Sequence, residues 1–342
     1  MADRSDERRR SADAKVVRFD KLGGPEVLKI VEGQPKEPEK SAVRLQVQAV
    51  GLNRAESLFM RGQYGEQPKL PAGVGYEAAG VVNAVGPDVD KKWIGKTVAT
   101  IPSFSMNDYA MLGEEVIAPV AALGEYPAQL SPVEGAAVWM QYLTAYGALI
   151  AIGHLTQGDF VVIPAASSSV GLAAIQIAKA EGAIAIATTR TSNKKAELLS
   201  LGADHAIATA EEDFVACTNA ITGGKGPRVI FDPVAGPFVE KLAEAAAPGG
   251  VIFEYGLLSM QPTPFPLLTA LGKGLTIRGY SVLEITRNRR KLTAAKRYVY
   301  DRLADARFRP KIAQTFPFVR TVDAYKYLES NAQVGKVVIT IP

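Results

Sequence analysis

The feature that most constrains the fold is an alternation of short apolar runs and helical stretches between residues 141 and 279. The run 160–164 leads through a small-residue turn into a helical stretch at 170–181, and a second strand at 184–189 is followed by a helix at 193–201. Strands at 206–208, 229–232 and 251–255 continue the pattern, with helices at 211–222 and 238–247 between them. Parallel strands need crossover connections, so repeated strand–helix–strand units predict a doubly wound parallel sheet in an α/β fold. The flanks read differently. Residues 15–130 place strands at 43–50, 80–85 and 97–101 between Gly and Pro turns, an antiparallel, barrel-like pattern. Toward the C-terminus the sequence predicts one long basic amphipathic helix at 284–307, a helix at 321–331 and a strand at 336–341. The expected organisation is a solvated tail at 1–14, a β-rich domain built from 15–140 and 280–342, and a nucleotide-binding sheet domain at 141–279.

Residues 135–158 contain no Asp, Glu, Lys or Arg, long enough for a membrane span. Gln141, Tyr142, Thr144 and Tyr146 interrupt the stretch and no basic cluster flanks it, which predicts a buried helix at the domain junction. The first fifteen residues mix Arg4, Arg8, Arg9, Arg10 and Lys15 with Asp3, Asp6, Glu7 and Asp13 and have no apolar core, unlike a secretory or mitochondrial leader. A cytoplasmic protein with no membrane partner is expected. The 39 basic and 35 acidic residues are too evenly matched to argue for nucleic acid. With one cysteine, Cys217, and two histidines, His154 and His205, the chain has no internal disulfide and no cysteine-rich metal site. All three read as structural. Catalysis would then draw on a bound organic cofactor.

Between the first strand and first helix of the alternating zone stands Ala166-Ser167-Ser168-Ser169-Val170-Gly171. A dinucleotide fold needs a tight turn here, so that amides at a helix N-terminus approach the pyrophosphate. Only the third glycine of the usual G-x-G-x-x-G pattern is present, although Ala166 and Ser168 are small and serine hydroxyls can donate to phosphate. The same small residues would also serve plain helix–strand packing. The second strand ends Thr188-Thr189-Arg190, followed by Lys194 and Lys195, without the acid that binds an adenosine ribose 2′-hydroxyl. Arg190, with Lys194 or Lys195, suits a 2′-phosphate, so NADPH is the expected cofactor. Loops at strand C-terminal ends bind ligand in this sheet type, which makes Val234, Tyr255 and Gly256 candidates for the nicotinamide half, with Ser259 just beyond.

Five ordered motifs carry a family resemblance over about residues 15–342: Gly51-Leu52-Asn53-Arg54-Ala55-Glu56; Arg61-Gly62-Gln63-Tyr64; Gly75-Tyr76-Glu77-Ala78-Ala79-Gly80-Val81-Val82; Gln141-Tyr142-Leu143-Thr144-Ala145-Tyr146; and the Ser-rich turn. They resemble the zinc-independent quinone oxidoreductase branch of the medium-chain dehydrogenase/reductase superfamily, the group that includes zeta-crystallin. The resemblance implies a GroES-like β-rich catalytic domain beside a Rossmann-type domain, and a homodimer joined through an edge strand near 275–280. Zinc-dependent members place ligands where Asn53, Tyr76 and Gln141 stand, so no metal is expected, with Glu77 a buried structural partner. It also implies that Tyr64 is a proton donor or an aromatic pocket wall, that Asn53 contacts the nicotinamide ribose or the substrate oxygen or else caps a loop, and that Thr144 and Lys336 lie beside the cofactor. Pocket walls are expected from 54–67, 106–109 and 262–271, with Phe59, Met60, Phe104, Met106 and Phe265 suggesting an apolar acceptor.

The function expected from these readings is NADPH-dependent reduction of a quinone or α,β-unsaturated carbonyl. A second reading is an enoyl-thioester reductase whose basic helix, with Arg287, Arg289, Arg290, Lys291, Lys296 and Arg297, receives an acyl carrier protein or coenzyme A. A third, of another class, is a nucleotide-binding protein with little turnover, RNA-binding or crystallin-like.

Overall fold

The computed structural model describes residues 13–342. Six parallel strands lie in the order His205–Ala208, Ile184–Thr189, Phe160–Ile163, Val229–Asp232, Val251–Glu254 and Thr276–Gly279. The chain enters at the middle, builds outward to one side and then crosses to the other, leaving a switch point beside Phe160–Ile163 where such sheets open a ligand crevice. Both faces are covered, which is why the strands are apolar throughout rather than alternating. Val161, Ile163, Phe231 and Phe253 enter one core cluster, while Val162, Ile230 and Ile252 enter another on the opposite face.

The β-rich part is organised around the ten-residue strand Ala42–Gly51, which pairs antiparallel with Glu77–Val85, Glu115–Pro119 and Lys336–Thr340. The C-terminal strand therefore closes on the first domain, with Val338 opposite Gly51. A smaller sheet of Lys29–Gly33, Ala14–Phe19 and Ala72–Gly73 packs beside it. The charge-free segment and the turn before it are helical in pieces, Pro132–Gly135, Trp139–Tyr146 and Gly147–Ile152. In its most apolar window 78% is buried, so a segment long enough to cross a membrane serves here as a core helix between the two domains.

Two expectations change. Of the tail expected at 1–14, residues 1–12 lie outside the described residues, and Ala14 already opens a strand. The helix expected at 284–307 is two, Leu283–Thr286 and Arg289–Ala304, because the Asn288 side chain accepts the Lys291 amide at 3.0 Å and starts the second helix afresh. That second helix buries Leu292, Ala295, Val299 and Leu303 in a cluster that holds Val161 and Phe253 of the parallel sheet together with Ala49 and Ala99 of the β-rich part.

Candidate active site

The helix Ser169–Ala180 begins with a cap: Ser168 Oγ accepts the Gly171 amide at 3.0 Å. A Cβ at Gly171 would lie 2.6 Å from the Ala166 carbonyl oxygen, so this one glycine is what lets the turn close against its helix. Ser167 is held from across the cleft. Its carbonyl accepts the Gly335 amide at 2.9 Å, and its Oγ lies 3.1 Å from Lys194 Nζ. Lys194 also donates to the Asn331 and Gln333 carbonyls at 2.8 and 3.0 Å, tying the phosphate turn to the C-terminal segment of the β-rich domain. Lys195 pairs with Glu212 at 2.7 Å. Of the three cations expected at a 2′-phosphate, Arg190 is the exposed one, following the buried Thr189, and its side chain has no hydrogen bond or ion pair among the described residues.

Beneath the cleft lies a cavity of about 620 Å³ with a mainly apolar lining. Asn53, Tyr64, Thr144, Val170, Tyr255 and Gly256 all reach it, gathering six expected site residues from four separate stretches of chain. Val234 and Ser259 stand just behind that wall, joined by a backbone hydrogen bond of 2.9 Å. The apolar surface comes from Leu58, Met140, Leu257, Leu258, Val282 and Leu283. This corrects the walls expected from sequence: 106–109 and 262–271 contribute nothing, Phe59, Met60, Phe104 and Met106 are core residues, and Phe265 is 61% exposed outside. Leu257, Leu258, Met260 and the segment 280–283 supply those walls instead, and carried no signal beyond following strand ends.

Two expected site residues, Asn53 and Lys336, are engaged in buried hydrogen bonds. Asn53 caps the helix Arg54–Met60 in a capping box with Glu56. Its Oδ1 accepts from Lys336 Nζ at 2.7 Å, and its Nδ2 donates to the Gly51 carbonyl and Glu56 Oε1 at 3.2 Å each. These bonds engage the amide inside the protein, and Asn53 also stands in the cavity wall. Lys336 is fully buried and pairs with Glu77 at 2.5 Å, so its ammonium faces the core rather than a cofactor. Glu77 also accepts the Met140 amide at 2.7 Å, the structural part expected of it.

The donor set does not fit a zinc ion. At the positions where zinc-dependent relatives keep their ligands the chain presents a committed Asn53 amide, the Tyr76 phenol and Gln141, whose Oε1 is buried without a partner. Zinc sites use thiolate, imidazole and carboxylate, and these three side chains offer none. For NADPH the fit is good: a capped helix N-terminus closed by Gly171, an exposed Arg190 at the strand end, and a cavity at the ends of Val229–Asp232 and Val251–Glu254.

Tyr64 lies on the loop after Arg54–Met60. That loop is held by Glu66, which accepts from Ser105 Oγ at 2.5 Å and from the Met106 amide at 3.1 Å. Burial pushes the Tyr64 hydroxyl above the ordinary phenol range, so it stays protonated and able to donate at neutral pH. The Thr144 hydroxyl donates to the Met140 carbonyl at 2.5 Å, leaving its methyl and oxygen edge toward the cavity.

A dinucleotide-type sheet, a capped phosphate turn and an apolar cavity with a protonated phenol define a two-domain nucleotide-dependent oxidoreductase. The family model described as alcohol dehydrogenase GroES-like domain matches residues 39–151, and the one described as zinc-binding dehydrogenase matches 169–297. Quinone oxidoreductase 1 of Escherichia coli is 32% identical over 322 residues, covering 93% of this chain and 97% of that protein. A 2-haloacrylate reductase of a Burkholderia species is 28% identical over 93% of this chain and 96% of its own length. The crystal structure of Escherichia coli quinone oxidoreductase complexed with NADPH superposes with a TM-score of 0.88 at 30% identity, covering 96% of this chain and 100% of that one. The chain belongs to the medium-chain dehydrogenase/reductase superfamily, in its quinone oxidoreductase branch.

Proposed function

We propose that the chain is an NADPH-dependent reductase that delivers hydride to a quinone or an α,β-unsaturated carbonyl without a metal. The observation that carries this reading is the apolar cavity at the strand ends with the Tyr64 phenol in its wall. When bound, NADPH supplies the hydride, and the protein is left to orient the acceptor and manage one proton. The Ser168–Gly171 turn and Arg190 hold the phosphates. Pro233, Tyr255, Gly256 and Thr144 wall the nicotinamide side. Leu58, Met140, Leu257 and Leu258 exclude water and suit a flat, apolar acceptor. An enone or quinone that accepts hydride delocalises the resulting charge onto its oxygen. A phenol donor therefore suffices where alcohol oxidation would call for a Lewis acid. The similarity to proteins described as quinone oxidoreductase and 2-haloacrylate reductase supports an electron-poor double bond as the target.

The test is NADPH oxidation, followed by absorbance, with quinones, enones, enals, saturated aldehydes and enoyl-coenzyme A. Turnover is expected with quinones or enones and absent with saturated aldehydes, and exhaustive chelation leaves it unchanged. Turnover with enoyl thioesters alone would favour the second reading. For that reading the outer groove of Arg289, Arg290 and Arg297 beside Tyr146 and Tyr298 is the place for an acidic carrier protein. No turnover with any acceptor leaves a nucleotide-binding protein.

We also propose a homodimer. Thr276–Gly279 pairs on one side only, with Val251–Glu254, and beside this open edge the helix Leu267–Lys273 exposes Leu267, Leu268 and Leu271.

A further inference from the structure

Tyr64, Tyr76, Tyr255 and Tyr280 all line the cavity, and Tyr76 is the one whose ring stands against Tyr64. Tyr76 stands at the mouth of the strand Glu77–Val85, on a backbone fixed from both sides. Its amide donates to Glu56 Oε1 at 3.1 Å, and its carbonyl accepts from Thr100 Oγ1 at 2.7 Å. The preceding Gly75 has φ +113, and a Cβ there would meet the Leu112 amide nitrogen at 2.9 Å, so the approach to Tyr76 follows a path that only glycine permits. Phe104 packs on one side of the Tyr76 ring at 5.7 Å between centroids. Tyr64 lies on the other, edge-on at 6.5 Å with an interplanar angle of 62°. Tyr76 is 3% exposed, and the surface it keeps faces the cavity; Tyr64 is half-buried and closer to solvent.

We propose that Tyr76 is a positioning residue for the reductase site: its hydroxyl donates to Tyr64 Oη, which leaves the Tyr64 proton directed at the acceptor and makes the two phenols one acid. The proposal rests on the reductase reading above. Among the described residues neither hydroxyl is hydrogen-bonded to another group, so each is free for the other, and the more deeply buried Tyr76 is the one placed to donate outward to Tyr64. Burial holds both phenols above the ordinary range, so both keep their protons at neutral pH. The other charges acting on the pair are Glu56 and Glu66, which disfavour ionisation of both, and Arg287, which eases that of Tyr64. In the proton step the Tyr64 O–H bond breaks, its electron pair stays on Tyr64 Oη, and the proton joins the enolate or hydroquinone anion formed by hydride addition. The Tyr76 hydrogen bond stabilises the Tyr64 oxyanion until water from the cavity mouth returns a proton.

The experiment compares wild type, Tyr64→Phe, Tyr76→Phe and the double variant. Tyr64→Phe lowers kcat by about a hundredfold, the scale of losing a general acid. Tyr76→Phe lowers kcat roughly tenfold, the scale of one hydrogen bond. It leaves the NADPH dissociation constant and unfolding midpoint near wild type, and the double variant is no slower than Tyr64→Phe. Losing its donor raises the Tyr64 pKa, so Tyr76→Phe also moves the alkaline limb of kcat to higher pH, which a packing role would not do. Wild-type kcat with an unmoved limb in Tyr76→Phe, or independent losses that multiply in the double variant, overturns the proposal while the reductase reading stands. Binding of para-nitrophenolate to the cofactor-free protein is the second readout, because its oxyanion mimics the one formed in the reaction. Weaker binding in each single variant, with no further loss in the double, supports the pair even if wild type reduces no acceptor and the reductase reading fails. Equal binding in all four proteins counts against it.

Discussion

Arg190 carries the cofactor choice because its neighbours are occupied. Lys194 is spent on Ser167 and two carbonyls, Lys195 on Glu212, and the strand end Thr188-Thr189-Arg190 has no acid. Arg190→Ala is expected to raise the NADPH dissociation constant by at least tenfold, about 1.4 kcal/mol, and to change that of NADH little; fluorescence titration of both nucleotides checks this, and equal losses would refute the 2′-phosphate assignment. A second residue, Glu254, bears on stability. Parallel register sets it opposite Asp232, whose carboxylate accepts the Val234 and Ala235 amides and so fixes the turn behind the nicotinamide wall. Burial first and Asp232 second push Glu254 from the ordinary 4.5 up to about 8. The folded chain thus keeps a proton that the unfolded chain sheds between those values, and stability falls as pH rises through that window. Glu254→Gln should flatten the fall, seen as an unfolding midpoint that varies less between pH 5 and 8 than in wild type. At this scale Tyr64, Thr144 and Tyr255 were legible, by motif or by position after a strand. The inward turn of Lys336 was not, because only the fold brings Glu77 within reach of it.

The strands of the parallel sheet were legible to within a residue or two, since a strand covered on both faces must be apolar along its whole length, whereas strands of the β-rich part at Ala14–Phe19, Lys29–Gly33, Glu115–Pro119 and Ile312–Pro317 were not. Breaks between helices were harder. The stretch Arg287-Asn288-Arg289 contains neither glycine nor proline, and its periodicity runs through, yet Asn288 interrupts the helix by capping the next one. Asn288→Ala is expected to destabilise the protein by about 1 kcal/mol in urea denaturation, with the NADPH dissociation constant unchanged. The cavity walls at Leu257, Leu258, Met260 and 280–283 were missed for a related reason. They are irregular segments whose side chains meet Asn53 and Tyr64 only across the domain cleft.

For the molecule as a whole, the open strand edge and the exposed leucines predict self-association. Leu268 and Leu271 are 84% and 71% exposed, an apolar pair that the packing of one chain leaves uncovered. Replacing both with Asp is expected to convert a dimer to a monomer in sedimentation while the fold persists, because neither side chain supports this chain's own core. A monomeric wild type would remove the proposal. The clasp of Lys194 and Gly335 on the phosphate turn is a feature of the same scale, joining residues more than a hundred apart in sequence.

The sequence by itself determined the parallel sheet, the position of the phosphate turn and the membership of an oxidoreductase family. Each of these follows from local periodicity or from short motifs whose chemistry is carried by neighbouring residues. Only the tertiary structure decided which of Arg190, Lys194 and Lys195 faces solvent, that Asn53 and Lys336 are bound to each other, and that Tyr76 stands against Tyr64 in the cavity wall. Those outcomes depend on competition among side chains from distant segments for the same buried partners, and no local pattern records who wins.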